Sequence, residues 1–111
     1  MQIRLDKVLS DNDGNPLADP WASAEPKPPL TVGRLLIAAL IAPHEGETNL
    51  SGDAKFARGV LAMSLRDQDS VDITVEELAV VIRLVKAFGT PLLLAQIIPI
   101  LDPAAQPGRL A

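Results

Sequence analysis

Residues 28–43 read "PPLTVGRLLIAALIAP", and apart from Thr31 and Arg34 they are almost entirely apolar. Such a stretch is a membrane span, a core helix or a surface kept for a partner, and the choice decides the fold. Its uninterrupted apolar run, residues 35–42, is eight residues long, against the roughly 20 that cross a bilayer. A helix lying on a membrane surface would carry lysines and arginines along its apolar face, and here they are few. The stretch therefore reads as a short core or interface helix. Thr31 is placed to cap its start, and Pro43 ends it because proline has no amide to continue the ladder.

The totals around this helix bound the rest. A chain of 111 residues makes one domain with a single modest core. Hydrophobic residues make up 48% and aromatics only 3%, so burial must come from Leu, Ile, Val and Ala, a mixture that favours helix on helix. The net charge is −4, with acids and bases interspersed. No basic stripe is available to neutralise phosphates, which excludes nucleic acid as a partner. The absence of cysteine removes disulfides, zinc knuckles and thiol chemistry. Arg4, Asp6 and Lys7 occupy the place where a signal peptide needs its apolar run, so a cytoplasmic location is expected. The sequon at Asn49-Leu50-Ser51 then reads as accidental.

Three regions differ in texture. Residues 1–29 open with alternating Ile3 and Leu5, pass a tight-turn signal at Asp13-Gly14, and continue into "ADPWASAEPKPP", where prolines crowd the single tryptophan, Trp21. This describes a hairpin or extended arm followed by a proline-rich linker. Residues 30–101 read as four helices. The second starts after Ser51 and carries Phe56, Val60 and Met63 on one stripe, with Ala57, Leu61 and Leu65 beside it and Lys55, Arg58 and Arg66 on a polar side. The third starts with a capping box at Thr74-Val75-Glu76-Glu77, flanked by a hydrophobic staple of Ile73 and Leu78, and should stop at Gly89 in the left-handed conformation. Pro91 suits the first turn of a fourth helix, which should break or kink at Pro99. Residues 102–111 read as a mobile tail. The expected fold is mainly all-α, four short helices with an N-terminal hairpin or arm. The first, third and fourth helices are apolar around much of their circumference. The third is either the central helix of the bundle or faces another chain.

The search for chemistry returns little. His44, the only histidine, stands beside Glu45 and Glu47, but all three share one glycine-containing loop with no helical scaffold to fix metal geometry, so a solvated loop is expected and no metal. "DNDGN" at residues 11–15 fails as a calcium loop, because Pro16 stands where glycine is required and Ala22 where the closing glutamate should fall. No nucleophile elbow or phosphate-cradling glycine pattern is present. Glu76 and Glu77 are explained by capping and by the favourable field at a helix start. A helix-turn-helix fails because the segment "PLLLAQII" offers only Gln96 to read bases. No enzyme activity and no cofactor are expected.

The order of "DNDGNPL", "LTVGRLLIAAL", "LSGDAKFARGVLA", "VDITVEELAVVIRLV" and "FGTPLLLAQIIPIL" resembles that in small helical proteins encoded by tailed bacteriophages and prophages. Those share a D-G-x-P-L turn, an L-T-x-G helix, an L-S-G-x-x-K-F helix and a V-D-L-T-x-E-E helix. The resemblance spans most of residues 3–101. It departs at Phe88-Gly89-Thr90-Pro91, one residue longer than the aromatic-Gly-Pro step of the pattern. It implies a phage-associated role and carries over no catalytic residue. The resulting expectation is a non-enzymatic interaction module that assists tail or head-to-tail assembly or forms a small structural part of the virion. It would bind a protein partner or a second copy through its third and fourth helices, with Leu92, Leu93, Ile97 and Ile98 on the docking face and Trp21 as an arm anchor. The alternative is an acidic inhibitor of a host defence or regulatory protein, which would fill a basic groove with Asp and Glu.

Overall fold

A computed structural model describes residues 1–44, 47 and 49–104; the segment read above as a tail lies, from residue 105 on, outside the described residues. The element order is β1 (Gln2–Arg4), α1 (Val32–Ile41), α2 (Gly52–Leu65), β2 (Ser70–Asp72), α3 (Val75–Phe88) and α4 (Pro91–Leu101). The fold is dominated by its helices, as expected, with a small two-stranded antiparallel sheet added. No helix among the described residues is long and apolar enough to cross a membrane.

The opening stretch becomes the hub. Thr31 caps α1 by accepting from the Arg34 amide at 3.3 Å, and the ladder closes at Ala42 just before Pro43. Leu35, Leu36, Ala39 and Leu40 are all buried, and both α2 and α3 pack on α1 while scarcely touching each other. The central helix is therefore α1 and not α3, which fully buries only Val81, Leu84 and Val85. The reason lies at the ends. The first α1 amides are bonded by the N-terminal segment, Val32 N–H to the Lys7 carbonyl and Gly33 N–H to that of Leu5, both at 2.9 Å. These are donors that a helix cannot satisfy from within. Gly33 is needed here, because a Cβ would lie 3.0 Å from that of Leu5.

Residues 1–29 and 30–101 share one core. Ile3, Leu5 and Leu9 are buried in the same cluster as the helices. β1 pairs with β2 in the register Gln2 to Asp72, Ile3 to Val71 and Arg4 to Ser70, which ties the first residues to the entry of α3. The Asp13-Gly14 turn forms: Gly14 takes φ +83°, and Asp11 Oδ1 accepts from the amides of Asp13 and Asn15, each at 2.9 Å. Leu9, Leu30 and Leu17 then donate in a ring, Leu9 to Leu30, Leu30 to Leu17 and Leu17 to Leu9.

The proline-rich stretch is pinned and not a free linker. Asp19, buried, accepts from Arg34 Nε at 3.0 Å and from the Trp21 amide at 2.9 Å, and Arg34 Nη2 reaches the Trp21 carbonyl.

Helix α2 inverts the expected faces. Ser51 caps it as read, accepting from the Ala54 amide, but the buried side holds Arg58, Leu61, Ala62 and Leu65. Phe56, Val60 and Met63 point outward. The helix has two apolar stripes on opposite sides, and the side with Arg58 goes inward because Glu47 neutralises that charge.

The capping box of α3 forms in full, with Thr74 Oγ1 accepting from Glu77 N–H at 3.1 Å and Thr74 N–H donating to Glu77 Oε1 at 3.0 Å. Gly89 departs from expectation. Its φ of −84° is ordinary extended backbone, because the chain runs straight into Thr90 and α4. The fit there is close, since a Cβ would stand 3.1 Å from Leu94 Cδ2 and 3.2 Å from the Val85 carbonyl oxygen. Pro91 occupies the first turn of α4, which continues unbroken through Pro99 to Leu101.

Candidate functional site

The residues expected to bind a partner fall in two places. On α4, Ile97 is fully buried in the core and presents no surface. Leu93 and Ile98 are half-buried against that core, and Leu92 alone is exposed. The docking face read on α4 thus shrinks to Leu92 and its edges, because α4 spends its apolar face on β1 and α3. Trp21 lies elsewhere, half-exposed over the end of α3, its ring centroid 6.0 Å from that of Phe88. The Arg34 guanidinium stands 5.9 Å from the Trp21 ring.

His44 is used structurally. Its Nε2 lies 2.7 Å from the Ala39 carbonyl, so that nitrogen is the donor and His44 closes the last turn of α1. Its ring centroid is 6.3 Å from that of Phe88. Glu45 lies outside the described residues, and among those described no three His, Cys, Asp or Glu side chains are grouped to hold a metal ion.

Glu47 is committed to Arg58 through two hydrogen bonds, Nη1 to Oε1 at 2.8 Å and Nη2 to Oε2, with Arg83 Nη1 a further 3.8 Å from Oε2. The Arg58 hydrogen bonds hold the Glu47 carboxyl below its ordinary value, and Glu47 in turn raises the Arg58 guanidinium. The charged form of each is the one the fold keeps.

Because α2 and α3 both lean on α1 while scarcely touching each other, a groove of about 250 Å³ opens between them. It is lined by Leu40 of α1, by Ala57, Arg58 and Leu61 of α2, and by Glu77, Val80 and Arg83 of α3. On the outer side of α2, away from the face that lines the groove, runs the ridge of Phe56, Val60 and Met63, which are 74%, 50% and 67% exposed. Spacings of four and three residues put these side chains on one face. No other described stretch leaves three large apolar side chains of one helix this open.

Sequence reading found these three residues as a stripe and missed where the stripe faces. The signal was the burial of Arg58, which hangs on Glu47, a loop residue eleven positions away. Helical periodicity alone does not register it. No protein-family model matches the chain, and comparison with curated proteins and with solved structures finds no significant similarity to any of them.

Proposed function

We propose that this chain is a non-enzymatic protein-interaction module that docks through apolar surface. In the setting that the resemblance implies, it assists tail or head-to-tail assembly of a phage or prophage particle, or forms a small part of it, in the host cytoplasm. The observation that carries the docking reading is the Phe56, Val60 and Met63 ridge. Contiguous apolar patches are kept small on chains that bind nothing, and a helix whose outer face holds three of them is a frequent mark of an interface. Trp21 and Leu92, with the half-buried Leu93 and Ile98, extend the accessible apolar surface at other points. The phage setting rests on the order of turn and cap motifs alone.

The uses of the polar groups favour the non-catalytic reading. His44 closes a helix, Glu47 neutralises Arg58, and Asp19 holds Arg34. Each is occupied in holding the chain together.

The test places a photocrosslinking residue at Val60 and, as a control, at the exposed Glu76, in cells expressing the chain. A product from position 60 and not from 76, formed equally at low and high salt, supports apolar docking, and its identification decides the phage setting. Absence of a ridge-specific product contradicts the reading. A product that forms only at low salt, on a basic partner, favours the acidic inhibitor instead.

A further inference from the structure

We infer that the α2–α3 groove is a binding site for a small aliphatic monocarboxylic acid, with the alkyl chain between the two helices and the carboxylate on Arg83. The groove lies on the face of α2 turned away from the Phe56, Val60 and Met63 ridge, so the inference stands apart from what the ridge docks.

Shape comes first. Both α2 and α3 pack on α1 and scarcely touch each other, which leaves the space between them unfilled. Its walls are aliphatic, made by Leu40, Ala54, Ala57, Leu61 and Val80. Ala54 and Ala57 stand about one turn apart on α2, and a longer side chain at either would project into the slot they line. The groove holds about 250 Å³, more than the roughly 150 Å³ in which an aliphatic cavity takes up benzene. At the roughly 30 Å³ that a water molecule occupies in the liquid, this is space for about eight non-hydrogen atoms. Hexanoate has that size.

Charge decides the head group. Arg58, Glu77 and Arg83 are the charged residues that line the groove. Arg58 is buried and gives Nη1 and Nη2 to the Glu47 carboxylate. Glu77 has its Oε1 in the capping box, accepting from the Thr74 amide. Arg83 alone of the three is open: its side chain is 62% exposed, and its one ionic contact among the described residues is the 3.8 Å approach to Glu47 Oε2, which already accepts from Arg58. Its guanidinium keeps a planar fork of donors that matches a carboxylate. Glu77 lies more than one turn before Arg83 on α3, so an anion is repelled from one end of the groove and held at the other. The same acids set the charge of the ligand. A monoanion is matched by Arg83, whereas a phosphate dianion would face Glu47 and Glu77 with a single open cation to offset them.

Titration of the full chain with hexanoate, followed by the methyl NMR signals of Leu40, Leu61 and Val80, tests this. These signals should shift saturably with a Kd of about 1 mM or tighter, while those of Val60 and Met63 stay unchanged. Hexanol should bind more weakly, and hexylamine more weakly still. Arg83→Gln, at an exposed position, should weaken hexanoate roughly three- to fivefold, the scale of a solvent-exposed charged contact, and leave hexanol as it was. Ala54→Leu, which fills the slot, should weaken both at least roughly tenfold. Methyls that do not shift saturably, wild-type affinity for hexanoate in Arg83→Gln or in Ala54→Leu, or a preference for hexylamine overturns the inference. Phe56→Glu should leave hexanoate binding intact, so failure here is separable from failure of docking through the ridge.

Discussion

Gln96 and Ser10, 86 residues apart, are joined as two strands would be: the Ser10 amide donates to Gln96 Oε1 at 2.9 Å, and Gln96 Nε2 donates to the Ser10 carbonyl at 3.0 Å. One carboxamide satisfies both main-chain groups at the entry to the Asp11–Gly14 turn and clips the N-terminal hairpin onto α4. Gln96→Ala should lower stability by about 1–3 kcal/mol in urea unfolding, the range for stranding partly buried polar groups. Gln96→Glu keeps the acceptor but turns the donor into a second oxygen against the Ser10 carbonyl, so it should not rescue the loss. Wild-type stability in either variant would mean that the clip holds nothing.

The Glu47 and Arg58 pair predicts the acid limb of stability. The folded chain holds the Glu47 carboxyl below its ordinary value of 4.5, through the Arg58 hydrogen bonds. The unfolded chain therefore takes up that proton first as pH falls. The contribution is complete above about 4.5 and is lost as pH drops through the folded value. Asp6, held down by Arg4 at the surface, adds a smaller part that is complete above its own ordinary value of 3.8 and is lost at lower pH. Glu47→Gln should flatten the acid limb while leaving the part due to Asp6, as read from thermal unfolding between neutral pH and acid. Arg58→Met, which removes the buried charge and lets Glu47 return to water, should be milder at neutral pH than Glu47→Gln, which leaves the guanidinium inside.

Two glycines should respond in opposite directions to alanine. Gly33→Ala forces a methyl to within 3.0 Å of Leu5 Cβ and 3.3 Å of its carbonyl oxygen, and should destabilise by about 1–3 kcal/mol. Gly59 lies in the middle of α2 with nothing within 4 Å of an added Cβ, and Gly59→Ala should stabilise by roughly 0.5–1 kcal/mol through helix propensity. Melting temperatures that move the same way would contradict the packing described for both.

Trp21 reports on its own loop. Asp19 binds both the Trp21 amide and Arg34, so Asp19→Ala should release the loop and shift the emission of this single tryptophan to the red. It should also expose the end of α3 where the Trp21 ring meets Phe88. An unchanged spectrum would show that the prolines hold the loop without the anchor.

Local signals were legible in the sequence. The Thr74 and Glu77 box, the Thr31 and Ser51 caps, the stop at Pro43 and the restart at Pro91 each depend on residues within one helical turn of one another. Long-range choices were not. β2 is three residues with one apolar side chain, and it exists because Ile3 lies beside Val71. The proline-rich stretch looked free because its anchor, Arg34, sits in the next helix. The inward face of α2 turned on Glu47, and this decided the candidate site, since the three apolar residues read as one stripe of an amphipathic helix become an exposed ridge once Arg58 goes inside. On α4 the apolar pattern was plain in the sequence, but which of Leu92 and Ile97 faces water depended on where β1 and α3 lie.

The central claim is that Phe56, Val60 and Met63 stand outside the core and are covered only by another molecule. Relaxation of the Val60 and Met63 methyl signals by a soluble paramagnetic probe tests it directly. In the free chain both methyls should broaden as strongly as surface groups, and on binding a partner they should become protected while the core methyls of Leu35 and Val85 stay unchanged. Methyls already protected in the free chain would place the ridge inside it, and methyls that stay open with every candidate partner would leave it with nothing to bind.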